Sequence, residues 1–215
     1  MLNARDITKI LRGRRVLDGV GLRCDSAEVC AVLGENGSGK STLLRVLCGM
    51  LEPDGGEVSI RGHQLTGGGV EARRHLGYVP DGTDTWPDLS LRELSALVRS
   101  LRQLPTDQAA EQELLRWRER LGLTEAWHQR LPTLSFGQRK RACTLVALLG
   151  DPWLLILDEP SNGLDPAGVA LLVDLIEQRQ QRGLATVLAS NDLPFVEQLN
   201  AQRQRLHEGR LVVER

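Results

Sequence analysis

No apolar run in this sequence approaches the roughly 18–20 residues that a helix needs to cross a bilayer. Residues 153–157 and 170–173, among the longest, fall far short, so any role at a membrane is expected to run through a partner. Net charge is almost absent: 27 basic against 28 acidic residues leave −1 with histidines neutral. Nothing in that balance asks for a nucleic-acid backbone, and no nucleic acid is expected as a partner. Cys24, Cys30, Cys48 and Cys143 form no C-x-x-C pair, which excludes a disulfide framework and reads as free thiols in a reducing compartment. Residues 1–6 show no charged start leading into an apolar stretch, so no secretory signal and a cytoplasmic location are expected. His63, His75, His128 and His207 lack ligand spacing and read as surface or packing positions. No repeat of solenoid or propeller period is present. Lysine is confined to Lys9, Lys40 and Lys140, so a lysine inside a motif is informative; the many arginines read as solvated helix faces.

What is present fits one compact unit, since 215 residues can bury a full core. Val29-Cys30-Ala31-Val32-Leu33 is a short continuous apolar run, the pattern of a strand buried on both faces. It enters a glycine-rich turn, and residues 41–48 then carry apolar side chains at helical spacing. Residues 53–56 read as a turn, 57–60 as a strand and 67–69 as a loop. From about 89 to 149 the pattern is helical, with Leu91, Leu94, Leu97, Val98 and Leu101 expected on one face. Strands return at 154–157 and 185–189, separated by a helix with Asp165 as N-cap and Pro166 in its first turn. The fold class is α/β with a helical insertion.

Gly34-Glu35-Asn36-Gly37-Ser38-Gly39-Lys40-Ser41 fits G-x-x-x-x-G-K-[ST]. Glycines there let successive backbone N–H groups turn inward around phosphate oxygens, lysine reaches the β- and γ-phosphates, and the serine hydroxyl can ligate Mg²⁺. The helix that follows adds the positive end of its dipole. Gly34, Asn36, Gly37, Ser38, Gly39, Lys40, Ser41 and Thr42 are therefore the candidate Mg-ATP-binding residues. Leu154-Leu155-Ile156-Leu157-Asp158-Glu159 is an apolar strand ending in two acids at its carboxyl end, where open α/β sheets bind ligands. Asp158 is assigned to Mg²⁺ and Glu159 to the general base. Leu134-Ser135-Phe136-Gly137-Gln138 opens a helix with Ser135 as its cap; taken alone, it is a capped helix start and nothing more.

The succession of these three motifs, followed by Ser161-Asn162-Gly163-Leu164-Asp165, resembles the nucleotide-binding domain of the ABC ATPase family over nearly the whole chain. The resemblance implies a single domain over 1–215: a P-loop NTPase core, an N-terminal antiparallel β subdomain, and an α-helical lobe inserted at about 84–152. It implies a head-to-tail homodimer or heterodimer in which Ser135, Phe136, Gly137 and Gln138 meet the ATP of the facing subunit, with Asp165 helping to couple the sites. It also implies separate membrane-spanning transporter subunits, docked in a groove at residues 81–91 that includes Trp86 and Pro87, and hence a peripheral place on the inner face of the membrane. Trp86 reads equally as an anchor for that partner or as packing beneath a loop.

Three positions depart from the family pattern. Near Leu11 there is no aromatic ring for adenine, so weaker stacking is expected. Asp81 replaces the usual glutamine but can still ligate the metal and face the attacking water. Asn191 replaces the usual histidine, and an amide can donate a hydrogen bond but cannot become cationic; slow hydrolysis is expected. Catalytic assignments are thus Glu159, Asn191 and Asp81, with Ser41, Asp81 and Asp158 on the metal. Residues 159–166 look most like exporter ATPases, and the length is similar to that of the haem-exporter ATPase subunit. A soluble ABC-type ATPase of DNA repair or translation, and a regulatory ATP-gated clamp, remain as alternatives.

Overall fold

The computed structural model describes residues 1–82 and 88–214; Trp86 and Pro87 lie outside them. Strands β1 (Leu2–Leu11) and β2 (Arg14–Cys24) form a hairpin whose two-residue turn, Arg12-Gly13, has φ of 51° and 78°. Positive φ at both positions suits the right-handed twist of the flanking strands. β1 also pairs with β4 (Gly55–Ile60), and β4 with the short β5 (His63–Gln64), giving an antiparallel sheet in the order β2-β1-β4-β5.

The second sheet contains β3 (Val29–Leu33), β6 (Leu76–Val79), β7 (Leu154–Asp158), β8 (Ala185–Ser190), β9 (Gln202–His207) and β10 (Arg210–Val213), in the order β10-β9-β3-β8-β7-β6. All neighbours are parallel except the edge strand β10. Every residue of β3, β7 and β8 is buried, which is why these segments read as unbroken apolar runs rather than alternating ones. Side chains still alternate between faces. Cys30 and Val32 enter a core shared with the antiparallel sheet and α1 (Lys40–Leu47), whereas Val29, Ala31 and Leu33 enter one shared with α5 (Phe136–Leu148) and α6 (Pro166–Gln181).

The remaining helices are α2 (Val70–Arg74), α3 (Leu91–Leu101), α4 (Gln108–Arg120) and α7 (Leu193–Glu197), with a 3-10 turn at Leu131–Thr133. α3, α4 and α5 share a third core through Leu91, Leu94, Leu114, Leu145 and Val146. α5 is buried along most of its length because it fills the space between the second and third cores. It lies so close on β6 that a side chain at Gly77 would run into the Ala147 carbonyl. Arg102, just after α3, donates at 2.8 Å to the Leu149 and Leu76 carbonyls, stitching α3 to the end of α5 and to β6.

The stripe expected on α3 is corrected in part. Leu91 and Leu94 are buried, but Leu97 and Leu101 are exposed. At about 100° per residue, positions 91, 94, 95 and 99 define the buried face with Val98 half-buried among them, and 97 and 101 fall on its flank. The polar members of that face are satisfied: Ser95 donates to the Leu91 carbonyl and Arg99 to that of Pro105.

Candidate functional site

Register in the parallel sheet assembles the site. Leu33 lies opposite Ser190 and Asp158 opposite Ala189, so the residues that follow these strands, Gly34, Glu159 and Asn191, emerge together at their carboxyl ends. The loop from Gly34 to Gly39 turns there, with φ of 156°, 80° and 107° at Gly34, Gly37 and Gly39. Glycine at Gly37 answers to backbone conformation, since a Cβ would meet nothing within 4 Å; at Gly39 it would come within 2.9 Å of Val16. Ser38 Oγ is buried without a hydrogen-bond partner among the described residues. An orphaned hydroxyl inside a loop of turned amides is the chemistry an anion satisfies, so the loop fits a phosphate group.

Lys40 opens α1 and is 6% exposed, as is Glu159. Its ammonium donates to the Gly34 carbonyl at 2.7 Å and the Glu35 carbonyl at 3.2 Å, and pairs with Glu159 Oε1 at 3.3 Å. Removing either partner of such a pair strands a buried charge. Glu159 itself has φ of 42°, a strained conformation for a non-glycine residue. Its place is fixed by its own N–H bonding the Ala189 carbonyl at 2.9 Å and by Asn191 N–H donating to Oε2 at 3.1 Å. The Asn191 amide donates to Asn36 Oδ1 at 3.1 Å, tying β8 to the phosphate loop.

Ser41 Oγ donates to Asp158 Oδ1 at 3.1 Å. Burial pushes the Asp158 carboxyl above its ordinary value, the Ser41 bond opposes this, and the charges of Asp81 and Glu159 reinforce it. Ser41, Asp81 and Asp158 line one cavity of about 570 Å³, which also borders Tyr78, Leu94 and Cys143. A hydroxyl and two carboxylates are hard oxygen donors suited to Mg²⁺. A second cavity, of about 610 Å³, opens beside the loop along Arg14, Val16, Asn36, Arg205 and His207, with no phenyl, phenol or indole ring among the described residues that line it.

The other predicted residues form a separate group. Ser135 and Gln138 make a reciprocal capping box at the start of α5, with Gln138 Oε1 accepting from Ser135 N–H at 2.9 Å. The Phe136 ring packs on Gly163, where φ of 72° and the ring itself leave no room for a Cβ. Asp165 caps α6, accepting from Gly168 N–H at 2.8 Å. Thr42, in the first turn of α1, is half-buried.

Two connections lay outside the sequence reading. Lys140 is almost fully buried and donates to the carbonyls of Pro80 at 3.1 Å, Asp81 at 3.3 Å and Asp158 at 3.1 Å. Burial lowers its pKa, and the charges of Asp81 and Asp158 oppose that shift. Ser161 Oγ donates to Asp192 Oδ2 at 2.8 Å while Asp192 caps α7, joining the segment after Glu159 to the one after β8. Nothing local in the sequence announced either connection, since each joins segments distant along the chain.

A twisted, mostly parallel sheet whose strand ends gather a glycine loop, a lysine and two acids defines a P-loop nucleotide-binding protein. The sequence profile of the ABC transporter family matches residues 17–162, and the chain belongs to that family. It is 31% identical to the uncharacterized ABC transporter ATP-binding protein YhcH of Bacillus subtilis, covering 99% of this chain and 68% of YhcH. It is 29% identical to the bacitracin transport ATP-binding protein BcrA of Bacillus licheniformis, covering 100% of this chain and 69% of BcrA. A solved ATP-binding subunit of an ABC transporter superposes with a TM-score of 0.90 at 28% identity, over 98% of this chain and 88% of that one. A bacterial ABC transporter cassette solved as a dimer shares the fold, with a TM-score of 0.86 at 22% identity over 100% and 97% of the two chains. The expected α/β fold, with its P-loop core and antiparallel sheet, is thus found, and the chain is an ABC-type ATP-binding protein.

Proposed function

We propose that this chain is the ATP-hydrolysing subunit of a membrane transporter, and that it works in export. The carrying observation is the strand register that brings Lys40, Asp158 and Glu159 together at the carboxyl end of the parallel sheet. In this reading Gly34, Asn36, Gly37, Ser38, Gly39, Lys40, Ser41 and Thr42 bind the triphosphate, and Ser41, Asp81 and Asp158 hold Mg²⁺. The metal would neutralise charge on the β- and γ-phosphates. Glu159, held between Asn191 N–H and the Lys40 ammonium, accepts the proton of the attacking water, and the Asn191 amide steadies the γ-phosphate side.

Ser135, Phe136, Gly137, Gln138 and Asp165 face outward from this centre to complete the site of a second subunit, which makes the active form a head-to-tail dimer. Their capped helix end offers free N–H groups to an anion. The helical lobe expected at about 84–152 acts as an insertion in a single domain. The groove at residues 81–91 receives a membrane-spanning partner, which places the chain peripherally at the inner face of the membrane; no helix among the described residues is long and apolar enough to cross it. Export rests on the likeness of residues 159–166 to exporter ATPases.

Changing Glu159→Gln keeps the shape and removes the base. The variant is expected to retain ATP and accumulate as a dimer on gel filtration while phosphate release stops. Undiminished phosphate release would remove Glu159 from its role.

A further inference from the structure

At the opposite end of β3 from the phosphate loop, three side chains are arranged as a ligand shell. Cys24 closes β2, Cys30 lies in β3 and Glu28 sits in the turn between them. Their two sulfurs and a carboxylate oxygen all lie within 4.8 Å of one another. Cys24 and Cys30 are 0% and 1% exposed, whereas Glu28 is half-buried and reaches solvent.

The carboxylate is already oriented. Glu28 Oε2 accepts from Asp25 N–H at 2.6 Å and Oε1 from Gln202 Nε2 at 2.8 Å, the kind of outer support that fixes metal ligands. The remaining polar neighbours of the sulfurs are main-chain oxygens. Cys24 Sγ lies 3.6 Å from the Glu28 carbonyl and 3.7 Å from that of Thr186, and Cys30 Sγ lies 3.6 Å from that of Arg23. Each S–H thus has a main-chain carbonyl to donate to, a weak bond that the bond to a cation would replace.

We propose that Cys24, Cys30 and Glu28 form a site for a borderline-soft divalent cation of the zinc class. Thiolates with a carboxylate select such an ion over Mg²⁺, which prefers oxygen alone. Bond lengths of about 2.3 Å to sulfur and about 2.0–2.2 Å to oxygen require only a small contraction of the cluster. Three protein ligands would leave a fourth tetrahedral position to water. On binding, each thiol gives its proton to solvent as its sulfur bonds the cation, and no oxidation state changes. Because β2 belongs to the antiparallel sheet and β3 to the parallel one, the ion would staple the two sheets together.

The test uses the reduced full chain and cadmium, whose bond to thiolate has an ultraviolet charge-transfer band. The proposal predicts a band that saturates at one cadmium per chain, is bleached by zinc, and is lost in Cys24→Ser and in Cys30→Ser. Glu28→Gln, at a partly exposed position, tests the site without a buried change and should weaken cadmium affinity by at least about tenfold, with circular dichroism unaltered. No band at equimolar metal, a band surviving in both serine variants and so belonging to Cys48 or Cys143, or undiminished affinity in Glu28→Gln would each overturn it. ATP binding is read separately, so failure here leaves the nucleotide assignment standing.

Discussion

The Lys140 ammonium donates at 3.1 Å to the main-chain oxygen of Asp158. Lys140 belongs to α5, the helix capped by Ser135, while Asp158 ends β7 beside Ser41. One buried cation therefore holds together the helix start proposed to face a second subunit and the strand end proposed to carry the metal. Its further bonds to the Pro80 and Asp81 carbonyls add the end of β6 to the same node. Neither helix nor strand end can shift without breaking charge-assisted hydrogen bonds.

Lys140→Met is accordingly expected to leave three carbonyls without this donor. Stability should fall by about 1–3 kcal/mol in urea unfolding, and kcat for ATP hydrolysis should fall more than KM rises. A variant equal to the parent in both would mean the node is idle.

Asn191→His restores a side chain that can carry positive charge beside the phosphate loop. Steady-state hydrolysis by the parent is expected to be slow, and the variant should raise kcat by about tenfold or more, toward the roughly 10²–10³ that one transition-state hydrogen-bond donor contributes. An unchanged rate would show that the Asn191 amide, already bonded to Asn36, is adequate.

Asp54 fastens β1 to the turn before β4, accepting from Ile10 N–H at 2.6 Å and from Lys9 at 2.9 Å. The Ile10 N–H first, and then Lys9, hold its carboxyl below the ordinary value of 3.8. A depressed carboxyl stabilises the fold while ionised, fully above the unfolded pKa, and the contribution is lost as pH falls through the folded pKa. The stability gap between parent and Asp54→Asn should thus be constant near neutrality and close below about pH 4. Urea unfolding across that range checks it; a gap that persists in acid would contradict the assignment.

Legibility followed burial and chain proximity. The strand–loop–helix around Gly34, the acidic strand end at Asp158 and Glu159, and the caps at Ser135 and Asp165 were readable because each is local and strongly patterned. β1 was not, because register shifts between Ala4 and Ile7 and again near Lys9 break the alternation that marks a strand. β9 reads Gln-Arg-Gln-Arg-Leu-His, and only Leu206 is buried, so its place beside β3 has no apolar signal. Lys140 reaches the Pro80 carbonyl across 60 positions, a relation visible only once α5 lies against the ends of β6 and β7. Leu97 and Leu101 misled because leucine alone does not distinguish the centre of a helix face from its flank.

Titration calorimetry of ATP, with and without Mg²⁺, on the parent and on Lys40→Ala tests the central claim most directly. The parent should bind saturably and more tightly with Mg²⁺, and the variant should lose about tenfold or more in affinity, as expected when a charge-assisted bond worth about 1.5–3 kcal/mol is removed. Absence of saturable binding by the parent, or equal affinity in Lys40→Ala, would contradict the assignment of this loop to a nucleoside triphosphate.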